Sequence, residues 1–274
     1  MKMKRISFII LICFLSVNLY SQPTNYIGFW AFNNDGLDLS GHNLDGSISG
    51  NVFYASGKFG QALSLTGNGY VTMGDAPSLN IANKEFSISV WIKTNDRATR
   101  QGIVDKFNSA GKVIYSPGGY VLEKGLTPGN IRFQLGIGAP NLVVIDASAN
   151  FYDNNWHHIA VTRTNDVVKL FFDGSLLGSS SCSGMIFSNT TRPFSIGTFA
   201  QIGGFFIGSI DDVKVYNYSL TDAQIRGVFE ESVNTLNLED LTKSFLDQNK
   251  KIEQLNQEMK ILKDKIEKLS AVSK

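Results

Sequence analysis

Phe86-Ser87-Ile88-Ser89-Val90-Trp91-Ile92-Lys93 is the stretch that decides the fold. Phe86, Ile88, Val90 and Ile92 fall on one side of an extended chain, while Ser87, Ser89 and Lys93 fall on the other. That alternation belongs to a half-buried antiparallel strand. Ile131, Phe133, Leu135 and Ile137 repeat it against Arg132 and Gln134. Val168, Leu170 and Phe172 run into Asp173-Gly174, a dipeptide that tolerates the positive φ angles of a tight hairpin, and Leu176 and Leu177 lie on the return. Such segments recur from Tyr26 to Tyr218 between Gly, Asn, Asp and Ser, with no long amphipathic helix among them. The fold class read from this pattern is all-β, an antiparallel two-sheet sandwich.

The period changes after the last strand. Thr221-Asp222-Ala223-Gln224 fits a capping box, and Ile225, Val228 and Phe229 share one helical face, so a short helix closes the domain. Residues 232 to 237 read as a brief connection. Leu238, Phe245, Ile252, Met259 and Ile266 then occupy heptad position a, and Leu241, Gln248, Leu255, Leu262 and Leu269 position d. This is a C-terminal α-helical coiled coil over residues 232–274, built for self-association. Ile at a with Leu at d favours a parallel dimer, whereas Phe245, Met259 and Gln248 in the seam keep a trimer open. Glu258 at g can meet Lys263 at the following e across the interface.

The first residues, Met1-Lys2-Met3-Lys4-Arg5, precede an apolar run from Ile6 to Leu15 and a small-residue region ending at Ser21. Residues 1–21 read as a secretory signal peptide, since the run is too short for a membrane span of about 20 residues. Processing removes three basic residues from the chain's 25 Lys and Arg, against 24 Asp and Glu, and leaves a slightly acidic protein. Such a balance speaks against nucleic acid and anionic membrane surfaces as partners. Cys182 is then the only remaining cysteine, so no intrachain disulfide can form. Residues 22–231 are long enough to bury a core as one domain.

Several segments, taken in order, resemble the laminin-G-like, concanavalin A-like jelly-roll family of exported bacterial proteins. They are Asp38-Leu39-Ser40-Gly41-His42-Asn43-Leu44-Asp45-Gly46, Gly57-Lys58-Phe59-Gly60-Gln61-Ala62-Leu63, the Phe86–Lys93 strand, Trp156-His157-His158-Ile159-Ala160-Val161-Thr162, Leu170-Phe171-Phe172-Asp173-Gly174 and Gly208-Ser209-Ile210-Asp211-Asp212-Val213-Lys214-Val215-Tyr216-Asn217. The resemblance covers residues 26 to about 230 and implies a lectin-type jelly roll without specifying a ligand.

Asp211 shares strand parity with Val213 and Val215, which directs it inward, where an unpaired charge costs several kcal/mol. The resemblance implies that the first and last strands lie close, and that a structural calcium ion can sit where the Asp38 loop approaches Asp211. Asp38, Asn43 and Asp211 are the candidate metal ligands, calcium taking six to eight oxygens. The alternative is that Asp38 and Asp45 make Asx-turns while Asp211 accepts backbone hydrogen bonds at a bulge. His157 and His158, being consecutive on a strand, point to opposite faces and cannot converge on one ion or substrate. Cys182 has no partner for nucleophilic work. No Glu-x-Asp-x-Glu strand is present, and Glu85 and Glu123 stand without a second carboxylate at strand spacing. Candidates for a sugar platform are Tyr115, Tyr120, Phe199, Phe205 and Phe206, with Asn108, Asn141 and Gln201 as polar companions.

These readings converge on a secreted, non-catalytic binding module for carbohydrate or a cell-surface component, multimerised by its helical tail. An adhesive protein–protein appendage and a glycan hydrolase are the rival readings.

Overall fold

The computed structural model describes residues 23–108, 118–136, 142–185, 187, 189–199 and 203–272, and within α1 no side chain of residues 231–245, 247 or 264–272. The strands are β1 (Tyr26–Trp30), β2 (Ser47–Ser56), β3 (Gln61–Thr72), β4 (Phe86–Lys93), β5 (Gly102–Phe107), β6 (Gly119–Lys124), β7 (Asn130–Gly136), β8 (Leu142–Ser148), β9 (Trp156–Arg163), β10 (Val167–Phe172), β11 (Ser175–Ser181), β12 (Ser195–Ile196) and β13 (Ile207–Tyr216), followed by one helix, α1 (Asp222–Val272). Every pairing between these strands is antiparallel.

Hydrogen bonding runs in the order β11-β10-β9-β4-β13-β3-β12-β5-β6-β7-β8, with β1 beside β13 and β2 beside β3. The strip folds over on itself. Its first half, up to β13, forms one layer and its second half, from β12, the other. β3 serves both, pairing with β13 through Leu63–Thr66 and with β12 through Val71 and Thr72. Inward side chains from both layers interdigitate, Ile88, Val90, Ile159, Val161 and Val215 meeting Tyr120, Leu122, Ile131, Phe133 and Ile145 in one dry core. At the far end β11 closes on β8, where a Cβ at Gly178 would stand 2.9 Å from Ile145 Cγ2. The alternating segments thus form the expected antiparallel, jelly-roll-like sandwich.

Three features depart from the sequence reading. β4 is buried on both faces, not one, because the chain after β13 folds back over its polar side. Ser87 Oγ donates to Tyr218 O and accepts from Leu220 N at 2.7 Å, which is why a serine can sit there without solvent. Second, α1 runs unbroken from Asp222 to Val272, so the expected connection at residues 232–237 is helical. No Gly or Pro occurs there to stop the helix. The third departure concerns Asp211. The pairing shifts between Asp211 and Lys214, and Asp212 adopts φ 48°. This bulge consumes one residue, so Asp211 lies opposite Trp91 on the outer side while Ile210 and Val213 both enter the core.

α1 begins as the capping box requires. Gln224 N donates to Thr221 Oγ1 at 3.2 Å, and Thr221 N to Gln224 Oε1 at 2.9 Å. Among the described side chains farther along, Ile252, Leu255, Met259 and Leu262 are each more than half exposed. That is the a/d seam, uncovered by the sandwich. A single chain shows no coiled-coil pairing, and no described helix is long and apolar enough to cross a membrane.

Candidate ligand-binding face

The three residues proposed as metal ligands are engaged separately. Asp38 Oδ1 accepts Phe29 N and Ser40 N, and Oδ2 accepts Leu44 N and Ser40 Oγ, all within 3.0 Å. Partial burial acts to raise its pKa, but the bonds from Ser40, Phe29 and Leu44 outweigh it and the carboxyl lies below its ordinary value. Asn43 is exposed at φ 58°. Asp211 Oδ2 accepts Lys58 N and Phe59 N, and Oδ1 accepts Asp212 N at 2.8 Å. β1 and β13 do pair, as the resemblance implied, yet no hydrogen bond or ion pair among the described residues joins Asp38 to Asp211. Each carboxylate oxygen already accepts at least one hydrogen bond, two on each Asp38 oxygen and on Asp211 Oδ2 and one on Asp211 Oδ1. A calcium ion at Asp38 or Asp211 would compete with these donors, and the described residues form no cluster of three or more acidic, His or Cys groups.

Phe206 and Tyr120 belong to the core, the Tyr120 hydroxyl donating to Leu79 O at 3.0 Å. Tyr115, Asn141 and Gln201 lie outside the described residues. His157 and His158 do face opposite sides. His157 bridges Asp173 (2.9 Å) and Asp153 (3.0 Å), and His158 Nε2 lies 2.8 Å from Ser89 Oγ beneath Phe229. Cys182 is buried, its thiol raised by burial against the opposing pull of Arg163.

The remaining aromatic candidates, Phe205 and Phe199, make separate contacts around Tyr70 of β3 and Arg100 before β5. Phe205 stacks on Tyr70 with ring centroids 6.1 Å apart, and Arg100 lies over Phe199 at 5.0 Å. Phe199 and Phe205 are both half-buried. Gly204, next to Phe205, is held to β5 by Gly102 N donating to Gly204 O at 2.8 Å. Gly204 has φ 56°, and a Cβ there would run into the Arg100 carbonyl, so glycine is required.

Arg100 continues the line inward. Its Nε stands 3.4 Å from Glu123 Oε2, and the register Glu123↔Arg132↔Asp146 carries the charge across β6, β7 and β8. Arg132 Nη1 lies 3.2 Å from Asp146 Oδ2, and Gln134 Nε2 donates to Glu123 Oε1 at 2.6 Å. Burial raises the Glu123 pKa although Arg100 and Arg132 oppose it. Glu123 Oε2 and Arg132 Nε, both buried, lack a hydrogen-bond partner among the described residues. The result is an alternating acid–base row that starts from the Phe199 ring, with Asp146 and Arg100 at the solvent boundary.

A search along one strand misses this row, because its members lie side by side across three strands. The sequence marked Arg132 and Gln134 as the polar side of an alternating run and Glu123 as a lone carboxylate, without joining them.

The architecture is shared with known proteins. Domain 4 of AbnA, an extracellular GH43 arabinanase of Geobacillus stearothermophilus, in complex with arabinotriose, is similar with a TM-score of 0.59 and 23% identity, covering 74% of this chain and 97% of that one. The binding domain of botulinum neurotoxin DC in complex with SialylT is similar at TM-score 0.58 and 19% identity, covering 76% of this chain and 52% of that one. At these identities the likeness is one of fold. Adhesion G-protein coupled receptor V1 of Danio rerio is 27% identical over 156 residues, 55% of this chain but 2% of the receptor. A laminin G family model, described as concanavalin A-like lectin/glucanases superfamily, matches residues 65–226, from β3 to the first turn of α1. Since that match takes in most of the sandwich and more than half of the sequence, the chain belongs to the concanavalin A-like lectin/glucanases superfamily.

Proposed function

We propose that this protein is an exported, non-catalytic binding module that takes glycan on the outer side of its second layer and is gathered into a parallel coiled-coil oligomer by α1. The observation that carries the reading is the presence, on one side of the second layer, of the half-buried rings of Phe205, stacked on Tyr70, and Phe199, under Arg100, together with the partly exposed Arg132–Asp146 pair, buried Glu123 holding Arg100 and Arg132 from beneath. Sugars present an apolar face of C–H groups and a rim of hydroxyls. Stacked rings suit the first, and carboxylate–guanidinium pairs suit the second by accepting and donating at once. The fold neighbours in complex with arabinotriose and SialylT support a binding role for such sandwiches. Self-association is supported by the exposed seam of Ile252, Leu255, Met259 and Leu262, whose complement is another copy of itself.

A glycan array probed with the full chain tests the reading. Wild-type protein should bind a defined subset of glycans, and Phe205→Ala or Arg132→Ala should weaken binding roughly tenfold without releasing reducing sugar in either form. An array blank for the wild type, or variants that bind like it, would remove this face from consideration. Sedimentation at micromolar concentration should show an oligomer, dissociated in the double variant Ile252→Glu, Leu255→Glu.

A further inference from the structure

We infer that the oligomer bridges separate glycan-bearing surfaces, because each head is rooted to its stalk through one layer and offers its ligand face from the other. This rests on the glycan face and the self-association proposed above. The root is well defined. Phe229 of α1 stacks on Trp91 of β4 at 5.9 Å and lies 6.2 Å from His158 of β9, and Ile225 packs with Ala160, Phe171 and Leu220. Asp222 pairs with Lys169 of β10 at 2.7 Å. All these contacts fall on the outer side of the first layer, since Trp91 pairs with His158 and Ala160 with Phe171 in the outward register.

Glu123, Arg132 and Asp146 occupy the outer side of the second layer, and the shared core lies between. Root and ligand face are therefore back to back across a sandwich about 10 Å between sheets. α1 contains no proline and, beyond Gly227, no glycine, so head and stalk turn as one body and not about a loose tether. Run back from Leu238, the heptad puts the root residues Ile225, Val228 and Phe229 at b, e and f, opposite the a/d seam, so in a parallel coiled coil each helix lies between the axis and the root side of its head. The ligand faces then point away from it and from one another. Two such faces cannot land side by side on a flat surface, but they can each hold a different one.

Two measurements on the full chain test this, with buried Cys182 left in place. Spin labels at Val144→Cys, on the outer side of β8, should give a longer distance between protomers than labels at Arg226→Cys near the root. The reverse order overturns the inference. Latex beads coated with arabinotriose, with a sialylated trisaccharide and with each glycan the array returns should aggregate on adding wild-type protein. Ile252→Glu, Leu255→Glu should still be captured by single beads but fail to aggregate them. Capture by the wild type without aggregation overturns the bridging role and leaves the glycan face standing. No capture on any bead removes the glycan reading and bridging with it.

Discussion

The Asp211 carboxylate accepts the backbone N–H of Lys58 at 2.7 Å, joining residues 153 apart in the chain. Phe59 and Asp212 supply two further N–H groups, and Gly57 lies so close that a Cβ there would stand 2.6 Å from Asp211 Oδ2. Two segments whose likeness to a family could be seen only separately, the Gly57–Gly60 turn and the Asp211–Asp212 doublet, are one structural unit.

At pH 5 Asp211→Asn should destabilise the fold by about 2–4 kcal/mol, because an amide turns an N–H2 group, which cannot accept, toward a backbone N–H that either oxygen of the carboxyl can accept. Gly57→Ala should cost a comparable amount through the clash. Urea denaturation reads both, and an Asp211→Asn curve superimposed on wild type would dismiss the carboxylate as a structural partner.

Stability should depend on pH in a way that these groups fix. Burial pushes the Asp211 pKa up to about 7 from 3.8, against its three N–H donors, so its contribution is complete below 3.8 and is lost as pH rises toward 7. Burial drives His158 down to about 3 from 6.5, so its contribution is complete above 6.5 and is lost as pH falls toward 3. Between 3.8 and 6.5 these two slopes oppose each other and largely cancel, leaving the decline that buried Glu123, its pKa also raised, adds as pH rises above 4.5. Asp211→Asn should remove the Asp211 slope, about 1.4 kcal/mol per pH unit, so that wild type loses stability relative to the variant as pH rises. Melting curves across this range decide it, parallel profiles of the two proteins being the contrary result.

At higher pH His157 takes over. Its hydrogen bond to Asp173, helped by Asp153 and opposed by partial burial, raises its pKa above 6.5. Neutral imidazole can donate to only one of the two carboxylates, so stability falls as pH rises from 6.5 through the folded value. His157→Gln should be less stable at pH 6 and lose this alkaline decline, as read from thermal midpoints.

Calcium, followed by chelation with EDTA, should leave the thermal midpoint unchanged, since Asp38 and Asp211 spend their oxygens on N–H and O–H donors. A midpoint that rises with calcium and falls on chelation would mean that a cation displaces those donors.

Phe229→Ala should cost about 2 kcal/mol, below the 3–5 kcal/mol of a fully buried Phe because Phe229 keeps some exposure. It should also shift tryptophan emission to the red, since Trp91 is only 2% exposed beneath that ring. Unchanged emission would mean that α1 does not cover Trp91 in solution.

Period-two alternation made β4, β7 and β10 legible from the sequence because each side chain's face follows from its own position. The Thr221–Gln224 cap was legible because its partners are three residues apart. Parity failed at Asp211, where the φ of Asp212 breaks the count, although an Asp-Asp doublet tolerant of positive φ is the local signal. The Glu123–Arg132–Asp146 row was hidden because it depends on register between strands, which no single segment encodes. Burial of the polar side of β4 was hidden for a related reason, its cover coming from far along the chain, as in the contact of Ser87 with Tyr218, 131 positions downstream.

β3 belongs to both layers at once, edging β13 at one end and β12 at the other. Neither layer can be completed before this strand is in place, so assembly cannot proceed sheet by sheet. Heat or denaturant should accordingly melt the sandwich in a single cooperative transition, with amides of Leu63 and Val71 among the last to exchange with solvent deuterium.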